Sequence, residues 1–396
     1  MSGFDRARLE RLGGMMAGHV ERGSTGGVAW LAARGDDVEV GAAGVLTRGE
    51  PEPIRRDSLF RIASMTKPVA AVGALILVEE GRLRLDDPVD GLLPELADRR
   101  VLVDGRGPID GATVPARRPI TVRDVLTFRL GLGMDFEAGW PQPLFQAMGA
   151  LGMGGGPPQP QTAPEPDEWV RRLGTLPLLY QPGERWLYDT GADVLGVLIA
   201  RAAGRPLEAF LRERVFDPLG MADTGFFAPE PARLGSCYGV NGETGERFVY
   251  DPPGGQWSKP PAFPSASGGL VSTVDDFFAF GRMLLSGGRL PDGPRLLSRP
   301  SVEAMTTDHL GVERGAPGPS PDQGWGFGVG VMVRRTGPAS PAGSYGWAGG
   351  LGSSWANDPA ERLVGVVLTT DMFTSAFPPP AAIQDFWTGV YAALDD

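Results

Sequence analysis

The chain has 396 residues, 42% of them hydrophobic, which is enough for one large domain or two ordinary ones and too apolar for a disordered chain. Its formal net charge of -11 argues against a nucleic-acid partner, which would require a basic face. A single cysteine excludes an intrachain disulfide and a Cys-cluster zinc site, and only two histidines, His19 and His309, are available to a His-based triad or metal centre.

Residues 4–20 carry Phe4, Leu9, Leu12, Met15 and Met16 near helical spacing and predict an amphipathic helix. Residues 26–34 and 37–45 flank Arg34-Gly35-Asp36-Asp37 and predict a β-hairpin. Residues 64–81 predict a long apolar helix stopped by Gly81. Residues 83–150 are expected to be mostly helix and loop, with a helix opening at Thr121. Residues 152–166 run through Gly154-Gly155-Gly156-Pro157-Pro158 and predict an exposed loop or flap, because no core can be built from them. Helices are expected over 190–203, 206–215, 274–286 and 381–394, and strands over 325–335, 345–356 and 363–370.

Strands at both ends with helices between them imply a sheet completed by distant parts of the chain. The expected class is α+β, an antiparallel sheet flanked by helices plus a mainly helical second region. The sheet domain is discontinuous, 1–85 with 235–396, and the helical one is 86–234. No stretch reads as a membrane span or a leader, so a cytoplasmic protein is expected, with no membrane partner and an open oligomeric state.

Only two of the 37 basic residues are lysines, Lys67 and Lys259. A retained lysine raises the question of what its position needs that arginine cannot do, since only lysine can be made neutral and basic. Lys67 answers it. Ser64-Met65-Thr66-Lys67 is an S-x-x-K element, and residues at i and i+3 share a helix face, so hydroxyl and amine can meet. Pro68 is tolerated only in a first helical turn, which puts Ser64 at the helix start, where the dipole favours an oxyanion. Burial among Val69, Ala70, Ala71 and Val72 is expected to lower the Lys67 pKa. Tyr188, at a turn entering a helix, reads either as an ordinary half-buried aromatic or as a tyrosine that faces a cleft and shares a proton with Ser64 and Lys67. Tyr345-Gly346-Trp347-Ala348-Gly349-Gly350-Leu351-Gly352 packs glycines into a strand, as for close approach of a ligand backbone or a bulge.

These three elements, in this order, resemble the serine β-lactamase and penicillin-binding-protein superfamily. The resemblance is strongest to the class C-related branch that includes family VIII carboxylesterases, and it covers most of the chain. Asp86-Asp87-Pro88-Val89, Pro218-Leu219-Gly220-Met221 and Gly268-Gly269-Leu270-Val271-Ser272-Thr273 add to it. It implies a β-lactamase/transpeptidase-like fold, with Ser64 as nucleophile and Lys67 and Tyr188 as its activators. The N–H groups of Ser64 and Gly350 would form the oxyanion hole. Trp347, Gly349, Thr190 and Phe128 would contact substrate.

The departures carry information. Trp347 stands where relatives have Lys or His, Thr190 where many have Asn, and Phe128-Arg129 where many have His-Thr. Each change suits a neutral, apolar ester better than an anionic lactam or peptide. The expected activity is hydrolysis of short-chain or apolar esters through an acyl-enzyme, with no metal or organic cofactor and a small-molecule ester as partner. A weak β-lactamase activity is compatible with it. A β-lactamase or D-alanyl-D-alanine peptidase, an acyltransferase and a non-catalytic protein of the same fold are the alternatives.

Other features read as structure. Gly235-Ser236-Cys237-Tyr238-Gly239 resembles a nucleophile elbow but lacks the strand before it and the helix after it. His19 and His309 are expected at or near the surface, Lys259 in a loop, and Met15-Met16 in core packing.

Overall fold

The computed structural model describes residues 3–291, 293–312, 318–374 and 378–395. The Asp5 carboxylate caps helix α1 (Arg6–Glu21) by accepting the Arg8 N–H. Strands β1 (Gly27–Arg34) and β2 (Asp37–Gly44) form the expected hairpin around Gly35, whose φ of 62° suits glycine. Helices α2 (Thr66–Glu79), α3 (Pro143–Ala150), α4 (Thr190–Ala203) and α5 (Val274–Leu285) follow. Strands β3 (Gln323–Trp325), β4 (Gly330–Met332), β5 (Tyr345–Gly349), β6 (Ser353–Asp358) and β7 (Leu363–Thr369) precede helix α6 (Ala381–Ala392).

The seven strands make one antiparallel sheet in the order β2-β1-β7-β6-β5-β4-β3. Its centre pairs the N-terminal hairpin with the C-terminal strand, Val28 opposite Thr369 and Ala33 opposite Val364. Side chains alternate across β1. Val28, Trp30 and Ala32 pack under α1 and α6 with Leu12, Phe386 and Val390. Ala29, Leu31 and Ala33 face the main core with α2 and α5. Each fully buried large side chain contributes roughly 1.5–3 kcal/mol, so both faces of the sheet stabilise it. Among the described residues, no helix is long and apolar enough to cross a membrane.

Several expectations change in detail. The run 345–356 is two strands, because Gly350 to Gly352 turn the chain, and 325–335 holds two short strands. The stretch 83–150 is mostly loop and contains a small hairpin, Arg100–Leu102 with Thr113–Pro115. Helix α2 starts at Thr66, after a short 3-10 turn over Ala63–Met65. Cys237 opens a strand rather than a strand-to-helix elbow. His19 is buried, not superficial, since its ring nitrogens meet Ser24 and Asp385 and tie α1 to α6. Met16 is core, but Met15 is exposed.

The turn at Ala63–Met65 is braced from three sides. Phe60 and Arg61 pair with Val271 and Ser272. Arg61, buried, pairs with the equally buried Asp251. Ser353 Oγ donates to the Ile62 carbonyl at 2.8 Å. Removing one partner of the Arg61–Asp251 pair would leave a buried charge and cost about 3–5 kcal/mol.

Candidate active site

Ser64 and Lys67 meet as their spacing requires. Lys67 is fully buried, and its three N–H donors find three acceptors: Ser64 Oγ at 3.0 Å, Asp189 Oδ1 at 2.7 Å and the Ser267 carbonyl at 2.6 Å. Its Nζ also lies 4.5 Å from the centroid of the Tyr188 ring. Trp347 Nε1 donates to Tyr188 Oη at 2.7 Å. Pro68 occupies the first turn of α2, so the missing N–H costs nothing there.

The expected lowering of the Lys67 pKa does not occur. Burial does push the amine down, but the charge of Asp189, the neighbouring Tyr188 and the hydrogen bond to Asp189 outweigh it. The net direction is upward, so Lys67 is an ammonium. The desolvation argument failed because a carboxylate far away in sequence shares the burial.

That carboxylate is held by strained backbone. Asp189 has φ 82° and ψ -69°, and the Thr190 N–H bonds the Tyr188 carbonyl at 3.2 Å, which is a γ-turn of the rare, strained hand. Ala63 before the nucleophile (φ 43°) and Phe128 behind Tyr188 (φ 57°) are also left-handed without being glycine. Such conformations persist where the surrounding structure over-determines them, commonly at functional sites.

One turn further along α4, Asp193 faces the same cavity. Its Oδ1 accepts from Ser265 Oγ at 2.8 Å and from the Ser267 N–H at 3.0 Å. Burial and the Asp189 charge push its pKa up to about 6.

The glycines of β5 serve packing. A Cβ on Gly349 would lie 2.2 Å from the Ile62 carbonyl, so its absence lets β5 dock against the turn that carries Ser64. The approaching backbone is the protein's own. The Gly349 carbonyl accepts the Gly352 N–H inside the turn, which directs the Gly350 N–H the opposite way across the planar peptide. The Ala63 carbonyl likewise accepts from Thr66, directing the Ser64 N–H away from α2.

A cavity of about 960 Å³ opens beside these groups. Ser64, Tyr188, Trp347 and Gly350 line it. Gly349, Thr190 and Phe128 do not. Thr190 is buried without a hydrogen-bond partner for its hydroxyl, and Phe128 lies behind Tyr188 with ring centroids 6.0 Å apart. Both support the wall from behind. Sequence reasoning passed over Asp189, Asp193 and Ser267. The i,i+4 spacing of the two aspartates beside Tyr188 was the available signal. The Ser267 carbonyl had none.

The rival features lie elsewhere. The buried Cys237 thiol is pushed up to about 12, mainly by desolvation, and is inert at neutral pH. His309 stacks on Phe327 with centroids 4.2 Å apart, and its ring bonds the Ala304 carbonyl. Lys259 is exposed.

A family model described as Beta-lactamase matches residues 12–386. The chain is 40% identical over 326 residues to Protein Rv1367c of Mycobacterium tuberculosis, covering 79% of this chain and 77% of that one. It is 33% identical over 396 residues to Esterase EstB of Burkholderia gladioli, covering 94% and 92%. The solved structure of EstCE1, a hydrolase with promiscuous acyltransferase activity, superposes with a TM-score of 0.79 at 24% identity, covering 97% of this chain and 99% of its own. That last likeness carries the fold alone.

Proposed function

We propose that this chain, which belongs to the β-lactamase family, hydrolyses short-chain or apolar carboxylic esters through an acyl-enzyme on Ser64. The observation that carries the reading is the contact chain from Ser64 through Lys67 and Tyr188 to Trp347 at the wall of an apolar cavity. The similarity to an esterase over almost the whole length supports it.

The chemistry follows from the charges. Ser64 Oγ attacks the ester carbonyl carbon and gives its proton to Tyr188 Oη. The Trp347 indole N–H donates to that oxygen at 2.7 Å, and the Lys67 ammonium lies against the Tyr188 ring. The tetrahedral oxyanion is received by the N–H groups of Ser64 and Gly350, each such donor worth roughly 3–4 kcal/mol. Tyr188 then protonates the departing alkoxide as the carbon–oxygen bond breaks. Water repeats the sequence on the acyl-enzyme and releases the acid. Lys67 stays protonated throughout and supplies charge rather than accepting a proton.

The cavity wall disfavours anionic substrates. Among the described residues that line it there is no Arg, Lys or His, and two aspartates are present. A β-lactam or peptide carboxylate would find no cation there. Any β-lactamase activity is therefore weak, and the activity belongs to the carboxylic ester hydrolases of EC 3.1.1 type. Acyl transfer needs only an alcohol in place of water, and a cavity of this size has room for one. The test is a panel of p-nitrophenyl acetate and butyrate, a chromogenic cephalosporin and a D-amino-acid amide. The expected order puts the esters first by at least about 100-fold. Preferred turnover of the cephalosporin or the amide would overturn the reading.

A further inference from the structure

Beyond the groups around Ser64 the cavity has an apolar wall with no role in bond cleavage. Its wall comes from residues 134–169, with Met134, Phe136, Phe145, Met148, Met153 and Trp169 facing in. Trp140, 58% exposed, stands against Phe145 with ring centroids 5.5 Å apart and is itself part of the lining. The total of about 960 Å³ lies at the upper end of the roughly 300–1,000 Å³ that drug-sized ligands occupy. An acetyl or butyryl group would leave most of this apolar surface wet.

The Gly/Pro-rich stretch, expected as a flap, is the fixed roof of this chamber. Tyr250 Oη donates to the Pro158 carbonyl at 2.6 Å. The Gln161 N–H donates to Gln256 Oε1 at 3.0 Å, and Gln161 Nε2 donates to the Gln256 and Lys259 carbonyls, both at 2.9 Å. Glycine permits the fit: a Cβ at Gly155 would lie 2.6 Å from the Phe145 carbonyl, and one at Gly268 would lie 2.8 Å from Pro158. A wall anchored in this way is preorganised, so a ligand need not order it on binding. Methionines in the wall adapt to irregular apolar shapes.

Charge narrows the occupant. Asp189 is paired with Lys67, whereas Asp193 has neutral partners only. A substrate carboxylate would meet that charge in a space whose described lining residues include no cation, while the Lys67 ammonium is buried behind the wall and already paired with Asp189.

We propose that the chamber roofed by residues 154–161 binds a bulky, uncharged apolar group of the ester, ring-bearing or branched. This assignment rests on the esterase reading and adds to it the class of ester. The chamber selects by size and neutrality, so bulky apolar esters are turned over faster than the short ones that also react.

Two ester series test it. One carries acyl groups from acetate to cyclohexanecarboxylate and naphthylacetate on p-nitrophenol, and the other carries acetate on alcohols of the same sizes. The expected result is a rise in kcat/KM of at least about tenfold with bulk in one series, which also identifies the moiety that enters the chamber. Adding a carboxylate to the bulky group should erase the gain. Met148→Trp fills the chamber and should reduce the bulky-to-acetate ratio at least about tenfold. Trp140→Ala, at an exposed position that folding tolerates, should reduce it about threefold and decides the matter if Met148→Trp fails to fold. Flat or falling rates with bulk in both series, or an unchanged ratio in Trp140→Ala, would overturn the proposal. Binding of the matching bulky ketone to Ser64→Ala protein, followed by tryptophan fluorescence, separates the two readings. Binding without turnover of any ester by the wild type would sink the esterase reading and keep the chamber. Ester turnover without binding would do the reverse.

Discussion

The two sides of the cavity are built on opposite principles. Around Lys67 the contacts are directional: three acceptors, one of them the Asp189 carboxylate on its strained turn, and beside them Tyr188 with its indole donor. Around Met148 the contacts are apolar and interchangeable, and the shape is held from outside by the hydrogen bonds of the roof. The difference teaches where tolerance lies. A directional network loses its function when one member goes, whereas an apolar wall changes its preference by degrees.

Substitutions can break that contrast. Ser64→Ala should reduce ester turnover by at least about 10³-fold, with unchanged thermal unfolding. A fluorophosphonate should label Ser64, and mass mapping of the label to Cys237 instead would remove the nucleophile assignment. Lys67→Arg should lose about as much as Lys67→Ala, on the order of 10²–10³-fold, because a planar fork cannot satisfy three acceptors arranged around a compact ammonium. Turnover of Lys67→Arg close to wild type would show that charge alone suffices.

Asp189→Asn should have a smaller effect, about 10- to 100-fold, with a diagnostic pH profile. Asp189 raises the Lys67 pKa against burial. Without it the amine loses its proton at lower pH, so the alkaline limb of kcat should move to lower pH. An alkaline limb that stays in place would show that the ion pair does not set the charge of Lys67.

The smallest effect concerns stability. The Asp193 carboxyl titrates near 6 in the folded protein against an ordinary value of 3.8, so the folded state prefers it neutral. Between those values the folded protein binds more protons than the unfolded chain, and stability falls as pH rises through the window. Above it the penalty is fully present. Asp193→Asn should therefore raise stability by about 1–2 kcal/mol at pH 8 and by nothing near pH 3. Thermal melts at the two pH values check this, and an equal gain at both would point to a cause other than charge.

Local rules reached some of these residues and missed others. Ser64, Lys67 and the Pro68 boundary are legible because helix geometry brings i and i+3 together without help from the rest of the fold. The N-terminal hairpin is legible because two short apolar or alternating runs flank the turn Arg34-Gly35-Asp36-Asp37. Phe128 and Thr190 occupy positions that a family pattern assigns to substrate contact, yet here they back the wall, since the ring of Tyr188 and the start of α4 cover them. The glycines around Gly349 pointed to the approach of a ligand, whereas the group that approaches is the protein's own Ile62 carbonyl, which local pattern cannot identify. The roof looked like a free flap because its composition lacks apolar residues, while its anchors, Tyr250 and Gln256, lie about ninety residues further along.

Composition singles out two lysines, and the sequence by itself determined which of them meets a serine, because Ser64 lies one helical turn before Lys67. The proposed pairing of a serine nucleophile with lysine and tyrosine starts from that spacing. Only the tertiary structure decided the charge of that lysine. Burial and ion pairing act on it in opposite directions, and their balance depends on a carboxylate 122 positions away. The size and neutrality of the cavity were decided in the same way, by segments brought together in folding whose apolar side chains carry no short-range spacing.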